Sequence, residues 1–148
     1  MNTKNKIKIF CSLSLICIVS IFSCQKESNN DINISLYDKS PDVIQPYIQG
    51  KWKVVYYEYG GIAPNKVYPT DITYWTFTDN RIRITQNGIL TTDTTFSWQK
   101  LSSDNRIYIM VGNGPFNGFN VSGITNNILY IGALTNNGIT MALLKVKQ

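Results

Sequence analysis

From Gly50 onward, β-branched and aromatic residues recur in short runs separated by Asn, Asp and Gly, and this rhythm constrains the fold more than any other feature of the chain. Eight runs can be read: Lys51–Tyr59, Ile72–Thr78, Arg81–Thr85, Thr94–Lys100, Arg106–Val111, Gly118–Ile124, Ile128–Ala133 and Ile139–Lys147. Several alternate as a half-buried strand does. Arg81-Ile82-Arg83-Ile84 puts two arginines on one face and two isoleucines on the other, and Thr95-Phe96-Ser97-Trp98-Gln99 repeats the pattern with larger side chains. No window carries a helical stripe of useful length. The expected fold is all-β: an up-and-down antiparallel β-barrel of about eight strands.

The connections carry a second pattern. Long segments, Gly60–Asp71 and Gly112–Asn117, follow the first and fifth runs, whereas Asp79-Asn80 and Thr125-Asn126-Asn127 are tight. In a meander, alternate connections fall at opposite ends, so this spacing predicts a barrel with one looped mouth and one closed end. Asn87-Gly88 reads as a tight hairpin at the mouth rim.

The start of the chain has a different character. Lys4, Lys6 and Lys8 precede a low-polarity run from Ile9 to Phe22, which ends in Ile21-Phe22-Ser23-Cys24. The run is shorter than the roughly 20 residues a spanning helix needs, and it fits the h-region of an export signal. The order of basic, apolar and small-before-Cys resembles the signal peptide and lipobox of bacterial lipoproteins. That resemblance implies cleavage before Cys24, acyl chains such as palmitate on its thiol, and attachment to a membrane through that lipid. The expected organisation is a signal peptide over 1–23, a lipid anchor and flexible tether over 24–48, and the barrel over 49–148. The expected location is the outer membrane, on its periplasmic face or at the cell surface, with Lys26-Glu27 a short match to an acidic surface-export signal.

Processing at this point changes the chemistry of the chain. Cys11 and Cys17 leave with the leader and Cys24 is capped, so the exported domain has no disulfide and depends on its core. Three lysines also leave, and the formal charge falls from +5 to 5 − 3 = +2. That removes the clustered basic footprint a nucleic-acid partner requires. The chain contains no histidine, which excludes Ser-His-Asp and Cys-His nucleophilic sites and the commonest zinc ligand. No metal, cofactor or enzymatic activity is expected. The remaining catalytic option is a carboxylate pair, Glu58 and Asp71, if strict alternation from Trp52 carries Glu58 inward at the mouth. The plainer reading makes both solvated rim charges.

Gly50-Lys51-Trp52 opens the first strand, and a Gly-x-Trp in that place resembles the opening motif of lipocalins. Tyr74-Trp75-Thr76-Phe77-Thr78-Asp79-Asn80, Ile128-Leu129-Tyr130-Ile131 and a closing Leu144-Lys145-Val146 extend the likeness to lipocalin-like domains of Gram-negative lipoproteins, over about Gln49 to Lys147. The resemblance implies a barrel whose Trp52 plugs the closed end. The chain departs from lipocalins in having no Thr-Asp-Tyr near the sixth turn and no arginine near its end to cover the Trp, a place that Lys145 or Lys147 can take in part.

Trp52, Tyr56, Phe77, Phe96 and Trp98 are the residues expected to line a pocket for a small hydrophobic or amphipathic ligand, with Phe119 a further interior candidate. Eight strands enclose space either for packed side chains or for one small ligand, so a filled barrel stands beside the hollow one. A filled barrel would make the domain a protein-interaction module, such as an inhibitor or an accessory subunit, acting through exposed apolar loops. Tyr57, Tyr59 and Tyr68 fall near the mouth or on the outer face, where they can stack on a sugar or a protein. Asp93-Thr94-Thr95 resembles a short bacterial O-glycosylation signal.

Overall fold

In the computed structural model, which describes residues 31–60, 65–101, 104, 106–112, 117–134 and 138–147, all eight expected runs form strands. In chain order the elements are β1 (Ile34–Ser35), α1 (Pro41–Ile48), β2 (Gly50–Tyr59), β3 (Asn65–Val67), β4 (Thr73–Thr78), β5 (Arg81–Gln86) and β6 (Ile89–Lys100). They continue with β7 (Ile107–Val111), β8 (Gly118–Thr125), β9 (Ile128–Ala133) and β10 (Ile139–Lys145). The proposed leader and Cys24 lie outside the described residues.

Strands β2 and β4 to β10 pair with antiparallel neighbours around a closed circuit. The seam is β2 against β10, running from Trp52↔Lys145 to Tyr59↔Ile139, and β8–β9 completes the wall. The protein is a closed antiparallel β-barrel of eight strands with two short extra strands. The tight turns rest on residues that tolerate positive φ: Asn87-Gly88 at 51° and 83°, and Asn126-Asn127 at 51° and 62°.

Strand direction puts Gly60, Ile72, the Asn87-Gly88 turn, Gly112, Asn117, Leu134 and Gly138 at one rim, and Asp79-Asn80, Leu101, Arg106 and Asn126-Asn127 at the other end. The described ends of the longer connections thus gather at the rim expected to be the mouth, while residues 61–64, 113–116 and 135–137 lie outside the described residues.

The other end is closed by residues expected to form a tether. Flexible chain over 24–48 does not describe residues 31–48, which belong to the same compact unit as the barrel. Apolar spacing gives the reason. Leu36, Ile44 and Ile48 are fully buried in the core cluster with Trp52, Val54, Ile124, Leu129 and Leu143. The i, i+4 pair Ile44 and Ile48 lies on one face of α1, which starts at Ser40-Pro41 and so places proline where its missing N–H is harmless. β1 pairs with β8 through Ile34↔Ile124 and Ser35↔Gly123, on the side of β8 that β7 occupies from Gly118 to Asn120. The short β7 leaves the lower part of that lane open, and the N-terminal segment fills it. Asp31, Ile32 and Asn33 bond the Asn126-Asn127 turn beneath.

Three bulges change the alternation. The pairing skips Val55 on β2, Thr91 on β6 and Ser122 on β8. Each extra residue reverses which face the following side chains occupy. The bulge at Val55 has the largest effect on the expected site.

Candidate functional site

Trp52 takes the position expected of it. It is buried at the closed end, and its indole Nε1 donates to the Ile48 carbonyl at 2.6 Å. The Lys145 Nζ lies 4.3 Å from the ring centroid and also donates to the Gln49 carbonyl. Lys145 thus covers the Trp from the last strand, and half-burial holds its pKa below the usual lysine range.

Higher in the bore the aromatics meet one another. Phe77 on β4 packs against Phe96 and Phe119, both at 6.3 Å between centroids, and Trp75 approaches Phe119 at 5.4 Å. Phe96 meets Trp98 edge-on at 5.7 Å. β4 and β8 are four strands apart in an eight-strand circuit, so the contacts of Phe77 and Trp75 with Phe119 cross the full diameter. Edge-to-face rings at these distances fill the space between them. Of the expected pocket residues, Phe77, Phe96 and Trp98 are brought together. They form a packed belt across the bore.

Tyr56 belongs elsewhere. Val54 pairs with Leu143 and Tyr56 with Ala142, so Val55 is the extra residue and Tyr56 turns to the outer wall. There its ring meets Tyr68 at 5.9 Å, the Lys66 Nζ stands 4.6 Å above it, and its hydroxyl bonds that of Tyr130. Tyr57 turns inward in its place and packs against the core. Burial, with Tyr59 beside it, pushes the Tyr57 hydroxyl pKa up. Val54-Val55-Tyr56-Tyr57 reads equally well in either parity, so no local signal marked the switch. Trp75 did carry one, being two residues from Phe77 on the same strand face.

The same bulge separates the carboxylate pair. Glu58 follows Tyr56 to the outer face and pairs in register with Lys66. Asp71 accepts from Asn87 Nδ2 at 2.8 Å and Gln86 Nε2 at 2.6 Å, which hold its pKa below the usual carboxylate range. Ile72 and Asn87 add two reciprocal bonds, Ile72 N to Asn87 Oδ1 and Asn87 N to the Ile72 carbonyl. Asp71 is therefore a clasp that fastens the β3–β4 segment to the tip of the β5–β6 hairpin. Among the described residues no group of His, Cys, Asp and Glu is arranged to hold a metal ion.

That clasp organises an apolar rim. Tyr59, Val67, Tyr68, Ile72, Ile89 and Leu90 are all exposed at this end, Tyr68 and Ile89 by 66% and 70%. A separate groove of about 340 Å³ runs along the outer wall between β1 and β8, lined by Asn33, Ile34, Ser35, Ser122, Gly123, Thr125 and Tyr130. Asp93, within the expected glycosylation match, is bonded to Arg81 at 2.5 Å and Arg83 at 3.1 Å. No family model, no curated protein and no solved structure matches this chain.

Proposed function

We propose that this chain is an exported bacterial lipoprotein, anchored through lipid on Cys24, whose barrel binds a protein partner with its rim. The observation that carries the reading is the rim itself. Six large apolar side chains stand exposed at one end, five of them on the two segments that the Asp71 clasp holds together and Tyr59 at the end of β2. Exposed apolar surface on an otherwise satisfied barrel is characteristic of an interaction site. The aromatic belt across the bore supports recognition at the rim over carriage of a ligand deep inside. Binding rather than catalysis accords with the dispersed carboxylates.

A shallow site for an amphipathic ligand is the second reading, favoured by the half-buried Tyr57 turned into the bore near the mouth. Photo-crosslinking in intact cells separates the two. A crosslinker at Tyr68 or Ile89 is expected to capture one defined protein, which the same group at Lys53 on the opposite half of the wall does not. Saturable one-to-one binding of a fluorescent fatty acid, with quenching of tryptophan emission and no rim crosslink, would establish the ligand carrier instead. Intact mass of the processed chain, compared with a Cys24→Ala variant, tests the anchor.

A further inference from the structure

The helix α1 exposes apolar side chains on the face turned away from the core. Ile44 and Ile48 point into the core and plug the closed end, so the opposite face points away from the barrel. At 100° per residue that outward face is centred on Pro46, with Asp42 and Val43 about 40° and 60° to its two sides and Tyr47 at its edge. Val43 and Tyr47 are exposed by 38% and 37%, and Ile32 and Tyr37 are exposed in the same N-terminal segment. A surface helix ordinarily shows water a polar face; here a single carboxylate, Asp42, stands among exposed apolar side chains, which points to a neighbour on this face.

Chain length identifies that neighbour. Asp31 is fixed at the closed end by its bond from Asn127. Seven residue steps separate it from Cys24, a reach of at most about 25 Å. Resting on the anchor reading above, the lipid therefore keeps the closed end beside the bilayer surface. We propose that the outward face of α1 lies in the headgroup boundary of that bilayer, with Tyr47 and Val43 inserted and the rim directed away. Tyrosine suits this position because its ring is apolar and its hydroxyl is solvated. The docked helix adds a further membrane contact beside the lipid anchor.

The test uses the full-length processed, lipidated protein in phosphatidylcholine vesicles carrying a headgroup nitroxide quencher. A bimane label at Tyr47→Cys is compared with one at Ile89→Cys. Each product has a single free thiol, because Cys11 and Cys17 leave with the leader and Cys24 is acylated. The expected result is flotation with the vesicles and quenching several-fold stronger at position 47 than at 89. Flotation with equal quenching at both positions overturns the docking and leaves the anchor standing. A chain that stays in the aqueous fraction with unmodified Cys24 overturns the anchor reading, and the docking with it. Concentration-dependent dimers that bury position 47 in solution, with no quenching by vesicles, give the face to a second copy and also overturn the proposal. As a further check, Val43→Ser with Pro46→Ser should abolish the excess quenching at position 47 while leaving the unfolding midpoint near that of the parent. Retained quenching in that variant counts against insertion of this face.

Discussion

Lys145 sits over the face of Trp52, its Nζ 4.3 Å from the ring centroid, and donates to the carbonyl of Gln49 just ahead of β2. One side chain from the last strand thereby ties down the first strand, the helix end and the core tryptophan. Lys145→Met keeps the packing of the stem and removes both polar contacts. The expected loss is about 1–2 kcal/mol in denaturant unfolding. Because burial lowers its pKa below the ordinary 10.5, the unfolded chain holds this proton to higher pH than the fold does. Stability should rise with pH between the folded value and 10.5, and that rise should be missing in Lys145→Met.

Gly50 lies against the same amine. Its φ is +101°, and a Cβ there would stand 3.0 Å from Lys145 Nζ. Gly50→Ala should therefore cost about 2–3 kcal/mol, from backbone strain and displaced lysine together. A midpoint unchanged in urea would show that the strand relaxes freely at this point.

The belt across the bore can be opened. Phe119→Ala removes the ring that meets both Phe77 and Trp75, and truncation of a buried phenylalanine costs about 3–5 kcal/mol. The resulting void should give the variant an affinity for small aromatic or fatty-acid probes that the parent lacks. Calorimetry on both proteins measures it, and equal binding by the parent would mean the bore already has room.

Tyr57 provides a second pH signature, of opposite sign. Its raised pKa makes a contribution that is complete below 10.0 and is lost as pH climbs through the folded value. Tyr57→Phe should remove part of the alkaline loss of stability. Tyr56→Phe should instead act on the outer wall, breaking the bond that raises the Tyr130 hydroxyl pKa. An alkaline loss of stability unchanged in Tyr57→Phe would count against the inward placement of this ring.

The rim clasp is tested by local rather than global opening. Asp71→Ala removes the acceptor for Asn87 and Gln86, so amide exchange at Ile72 and Asn87 should accelerate while core amides keep their protection. In the parent the same loosening should appear as pH falls below the ordinary carboxylate range, since the clasp requires the charged form.

The barrel was legible in the sequence because alternation and Asn-rich turns act locally. Arg81-Ile82-Arg83-Ile84 and Asn126-Asn127 say what they form without knowing their neighbours. The helix was hidden by its own composition. Eight residues with prolines at 41 and 46 make a weak helix in isolation, and only its burial of Ile44 and Ile48 against the barrel stabilises it. Ser40-Pro41 was the available start signal. The Val55 bulge had no such mark, since it is set by how β2 meets β10, some ninety residues later. One skipped residue moved Tyr56 and Glu58 out of the bore and brought Tyr57 in. The expected lining changes at that point, where the sequence was most ambiguous.

The pairing of Ile34 with Ile124, and of Asp31 with Asn127, has a consequence for synthesis and transport. β1 has no strand partner until most of the chain has been made. The β2–β10 seam sets the same condition from the other side. Contacts so distant in sequence form slowly. A ribosome releasing this protein therefore delivers an open chain, whose wall and floor are finished together, in one late step, only after residues 118–145 have emerged.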